Sequence, residues 1–106
     1  MRDFYQKTTK YWDTEIRVDN VKPDITSNTV TAIFKTNKSD ADASAVITAT
    51  ADVATSGADG VAEFTLSVSD TTVTPAKLFY EIRWTIDAVV YIIESSSVSV
   101  LERVYD

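Results

Sequence analysis

Side-chain polarity along this chain changes at every residue, not at every third or fourth. In VAEFTLSV (61–68), Ala62, Phe64, Leu66 and Val68 fall on one side and Glu63, Thr65 and Ser67 on the other. A period of two gives a strand one apolar and one wettable face, whereas on a helix it would scatter the apolar groups around the cylinder. The pattern recurs. TEIRVDN (14–20) sets Ile16 with Val18, and TVTAIFKT (29–36) sets Val30, Ala32 and Phe34 in one row. LFYEIRWTI (78–86) aligns Leu78, Tyr80, Ile82, Trp84 and Ile86 against Phe79, Glu81, Arg83 and Thr85. SVSVLERV near the end aligns Val98, Val100 and Val104, with Leu101 on the other side.

The joints between stripes read as turns. Asp87 and Ala88 make a tight turn into VVYIIESS, and TSGADG carries the only two glycines, Gly57 and Gly60, where positive φ is easily adopted. The latter turn is expected to join AVITATADVA (45–54), with Ile47, Ala49, Ala51 and Val53 in a row, to VAEFTLSV as a hairpin. Alanine in KSDADASAVITATADVA favours helix. The β-branched Val46, Ile47, Thr48, Thr50 and Val53 favour strand, which is the reading adopted. Seven or eight strands at intervals of about 8 to 14 residues predict an all-β sandwich or barrel, in one domain spanning residues 1–106.

Charge and residue usage narrow the function classes. Ten basic residues are scattered among sixteen acids, for a net charge of −6. That balance argues against nucleic acid and anionic membrane surfaces, both of which need clustered Lys and Arg. There is no cysteine for a disulfide, a thiolate zinc site or a nucleophile, and no histidine for general-base work. Two glycines leave no phosphate-cradling loop. No apolar run approaches the roughly 20 residues of a membrane-spanning helix. MRDFYQKTTK lacks the apolar middle of a signal peptide, so no export signal is expected.

Glu63, Glu81 and Glu94 could in principle supply a carboxylate pair for hydrolysis, but each is expected on the wettable side of a stripe. Asp40-Ala41-Asp42-Ala43-Ser44 opens like a calcium loop, then carries Ala45 and Ala51 where glycine and a bidentate glutamate are required. An irregular site drawing on Asp40, Asp42, Asp52 or Asp59 is the alternative to a plain polar loop. The expectation is a protein that is not an enzyme, with no cofactor and no metal.

Aromatic residues carry the remaining signal. Phe64, Tyr80 and Trp84 lie on core-facing stripes. Phe4, Tyr5, Tyr11 and Trp12 crowd the N-terminal segment outside a clean alternation, either stapling it to the body or forming a contact patch. Phe79 and Tyr91 are expected opposite the core. Tyr11, Trp12, Phe79 and Tyr91 are therefore the candidate interaction residues, with a small carbohydrate-binding or adhesive module as one use for them.

Four segments are similar to a family of immunoglobulin-like β-sandwich domains in tailed bacteriophages, which includes the N-terminal domain of the baseplate upper protein and related virion proteins. WDTEIRV (12–18) resembles the family's opening "G-D-T" strand and DITSNTVTAIF (24–34) its "D-L-T-G-a-t-V" stretch. GADGVAEFTLSVSDTT (57–72) resembles its "G-x-v-x-f-x-L-t-x-x-d-T" hairpin. PAKLFYEIRWTIDAVVYIIESSSVSVLERV (75–104) resembles its "P-x-G-x-Y-x-Y-x-I" strand with the following "v-y-t-l-x-x-G-x-v-x-V". Trp12, Ser27, Lys77 and Ser97 stand where the family usually has glycine. The resemblance implies an antiparallel immunoglobulin-like sandwich of seven or eight strands. It also implies a tail, neck or baseplate component, assembled in the bacterial cytoplasm, whose partners are other virion proteins and further copies of itself.

Overall fold

In the computed structural model of the chain, residues 1–103 are described; the expected placement of Val104 lies outside them. Among the described residues, alternation has produced strands and only two single-turn 3-10 segments, Asp42–Ser44 and Gly57–Asp59. The strands are β1 (Phe4–Tyr5), β2 (Lys10–Glu15), β3 (Thr29–Lys35), β4 (Ile47–Thr50), β5 (Val61–Leu66), β6 (Ala76–Ile86) and β7 (Val89–Leu101). Five of them form one sheet in the order β1-β7-β6-β3-β4, and β2 pairs with β5. A single bridge between Asp52 and Glu63 joins the end of β4 to β5, so the all-β body is a curled sheet whose two limbs enclose the core.

The apolar rows face each other as the stripes require. Val30, Ala32 and Phe34 of β3, Leu78, Tyr80, Ile82 and Trp84 of β6, and Val98 and Val100 of β7 are buried. Ala62, Phe64 and Leu66 of β5 close on them from the other limb. Each large side chain removed from water in this way contributes roughly 1.5–3 kcal/mol, so these rows hold the two limbs together. Trp12 stacks on Phe64 with centroids 4.8 Å apart and planes 9° apart. It also meets Phe34 edge-on at 6.1 Å.

Local polar groups override the alternation at several points. Strand β5 stops at Leu66 because Ser67 and Asp70 exchange hydrogen bonds: Ser67 N–H donates to Asp70 Oδ2 at 2.9 Å, and Asp70 N–H to Ser67 Oγ at 3.1 Å. Val68, expected in the core row, is therefore exposed. Strand β2 ends at Glu15, so Ile16 is buried as expected but Val18 is not. Val18 and Val21 instead exchange backbone hydrogen bonds across a two-residue turn in which Asp19 and Asn20 both have positive φ.

The expected hairpin between residues 45–54 and 61–68 does not form. Strand β4 pairs with β3 and β5 with β2, leaving only the bridge. Asp52 is the cause: its Oδ1 accepts from Ala54 N–H at 2.9 Å and its Oδ2 from Thr55 Oγ at 3.0 Å. This side-chain turn folds the chain over to the opposite limb.

One irregularity governs the longest hairpin. Asp87 and Ala88, both at positive φ, form the two-residue turn that sets Ile86 opposite Val89 and Trp84 opposite Tyr91. Continued without a break, that register would turn Val98 and Val100 outward. The ladder instead shifts between Ile82, which faces Glu94, and Arg83, which faces Ile92, and Ile93 is the extra residue. The bulge reconciles a register imposed by the turn with one imposed by burial.

Candidate interaction surface

The β6–β7 hairpin runs past its neighbour β3. Strand β3 pairs with β6 only as far as Thr85, and Ile86 with the turn after it extends beyond that ladder. Val89, Val90, Tyr91 and Ile92 are each about half exposed. Val18 and Val21, on the turn after β2, add two more exposed apolar residues. Between this turn and the hairpin lies a groove of about 450 Å³, lined by Val18, Trp84, Ile86, Tyr91, Ile92 and Ile93. Arg17 stands at its rim with its Nε 2.5 Å from Glu15 Oε1. Tyr91 packs against Trp84 at 5.7 Å. Trp84 is fixed in turn by its Nε1–H donating to Asn28 Oδ1 at 3.1 Å.

The same end carries open backbone. Strand β1 covers the outer edge of β7 only at Val100 and Leu101, and Asp3 Oδ1 accepts from Ser99 N–H at 2.9 Å. From Val89 to Val98 no strand lies on that edge among the described residues. A strand edge with apolar side chains and unpaired N–H and C=O groups is a template for a further strand.

Many polar groups elsewhere are engaged with one another, although the buried Trp12 Nε1 has no hydrogen-bond partner. On the outer face of the large sheet, Arg83 grips Asp42 with Nη1 to Oδ2 at 2.8 Å and Nη2 to Oδ1 at 3.0 Å. Its Nε also donates to Glu81 Oε2 at 3.0 Å. Lys35 Nζ reaches Asp42 Oδ1 at 2.8 Å. The hydrogen bonds from Arg83 and then Lys35 hold the Asp42 carboxyl well below the usual range. Beside this network, the ammonium groups of Lys38 and Lys77 sit 5.2 and 5.3 Å from the centre of the Phe79 ring. On the inner face, the Tyr80 hydroxyl donates to Glu94. Burial, and then that hydrogen bond, push the Tyr80 hydroxyl up to about 12.

The four candidate aromatics do not converge. Tyr11 is exposed on the outer side of β2, whereas Trp12 is half-buried against Phe64 on its inner side. Phe79 lies half-buried on the outer face of the large sheet. Tyr91 was expected opposite the core; the turn register puts it on the core side beside Trp84, where it is still half exposed. Only Tyr91 belongs to the apolar end. Val18, Val21, Val89, Val90 and Ile92 were missed, although VVYII is an apolar run in which alternate residues ought to have been polar.

The carboxylates are likewise dispersed. Glu63 accepts from Ser56 Oγ at 2.7 Å on β5, and Glu81 pairs with Arg83 on β6, so the two occupy different limbs. Glu94, expected on the wettable side, is turned inward by the bulge. Asp40 Oδ2 accepts from Asn37 N–H at 3.2 Å, closing the loop onto itself. No family model, no curated protein and no solved structure matches this chain.

Proposed function

We propose that this chain is a non-enzymatic structural subunit that works by docking to other proteins, and that its body is an immunoglobulin-like β-sandwich of the tailed-phage kind. In that setting it is a tail, neck or baseplate component acting in the virion. The observation that carries the docking reading is the apolar end: Val89, Val90, Tyr91 and Ile92 beside Val18 and Val21, on an open strand edge. A contiguous apolar surface rimmed by polar residues is costly in water unless a partner covers it. The net charge of −6 keeps such a chain dispersed until the partner is present. The phage setting rests on the resemblance of the four sequence segments. No comparable feature favours glycan binding, which needs adjacent exposed rings, because Tyr11 and Trp12 lie on opposite faces of β2.

Quantitative mass spectrometry of purified particles from cells carrying the gene tests the reading. The chain is expected in them at a fixed multiple of other virion proteins, and its absence from washed particles would reject the virion assignment.

A further inference from the structure

We infer that the partner at the apolar end is a second copy of this chain, joined through antiparallel pairing of the two β7 edges over Val89–Ile92. The inference rests on the docking reading and adds to it the identity of one partner. Three observations carry it.

The first is self-complementarity. A two-fold contact must place one patch against itself, and this patch combines open main-chain donors and acceptors with the apolar side chains that need covering. Edge pairing across a two-fold axis sets the inward row, Val89 and Tyr91, beside its counterpart and next to the groove lined by Val18 and Trp84.

The second is charge. Two copies at −6 repel each other, and residues 89–93 carry no ionisable group other than the Tyr91 phenol, so the like charges of Asp87 and Glu94 meet only at the ends of the ladder. The edge also lacks the lysine or proline that ordinarily blocks strand addition. What limits pairing is the bulge at Ile93, which bends β7 away and confines the ladder to the four residues of the tip.

The third is area. The exposed surface of Val89–Ile92, Val18 and Val21, counted on both faces of β7, is at most roughly 600 Å² per copy, below the roughly 800 Å² that a standard interface buries per partner. A short main-chain ladder added to a contact of less than standard size suits a weak, reversible dimer.

The absence of cysteine makes the test direct. Single substitutions Val89→Cys, Val90→Cys, Tyr91→Cys and Ile92→Cys are oxidised in the full chain, with Ser97→Cys as the control. Disulfide-linked dimer is expected to peak at one position in 89–92 and to be near background at 97. Sedimentation of the unmodified chain should show dimer at about 100 µM. Val90→Lys combined with Ile92→Lys should weaken it at least about tenfold while the circular dichroism spectrum keeps its strand signature. A monomeric mass at that concentration with equal cross-linking at every position would overturn self-pairing. Such a result, with the chain still found in particles, removes the second copy and leaves the virion reading standing. A dimer from a chain absent from particles does the reverse.

Discussion

Single residues at turns and buried polar positions set the fine tolerances of this protein. Gly60 has φ of +75°, and a Cβ there would lie 2.9 Å from the carbonyl oxygen of Ile16 and 3.1 Å from that of Pro23. Both obstacles are backbone, so Gly60→Ala is expected to cost about 2 kcal/mol, read as a lowered urea midpoint. Tyr80 offers a spectroscopic handle. Its folded value near 12 stands above the ordinary 10, because burial and Glu94 favour the neutral hydroxyl. The resulting stabilisation is complete below pH 10 and is lost as pH rises from 10 through 12. Absorbance titration of tyrosinate in the folded chain should therefore show a late step near 12 that Tyr80→Phe removes. The same variant leaves Glu94 without its donor and should cost about 1 kcal/mol at neutral pH.

At the scale of elements, the β6–β7 hairpin is under two instructions that differ by one residue. The turn favours one register; Val98 and Val100, both buried, demand the other. Ala88 sits at φ of +69°, where glycine is easier, so Ala88→Gly should stabilise the fold by about 0.5–1 kcal/mol, read as a higher urea midpoint. Deleting Ile93 removes the bulge yet keeps both valines inward, so the chain should still fold, at a cost of about 1–2 kcal/mol for the lost packing of that side chain. Inserting one residue after Ser96 turns Val98 and Val100 to solvent and should cost several times more. Equal costs in thermal denaturation would refute this account of the bulge.

For the whole molecule, the distribution of charge against apolar area governs behaviour in solution. Acidic groups spread over the surface oppose association, while Val89–Ile92, the residues proposed to pair, carry no formal charge at neutral pH. Salt screens the repulsion without weakening apolar contact, so raising ionic strength from about 0.01 to about 0.5 M should tighten the dimer severalfold. Dissociation by salt, followed by sedimentation, would instead point to an interface built on ion pairs, such as the Lys38 and Lys77 face around Phe79.

The chain's own alternation determined the strand class, the buried rows of β3, β5 and β6, and the tight turn at Asp87 and Ala88, because a side chain's face on a strand depends only on its parity. Parity is a local property, and it breaks where a polar side chain captures the backbone, as at Ser67 with Asp70 and at Asp52. Tertiary structure alone decided that β5 pairs with β2, that Trp12 lies on Phe64, and that Tyr91 turns toward the core yet stays wet. Those outcomes depend on how the two limbs of the curled sheet close on each other, which is fixed by contacts between residues far apart in the chain.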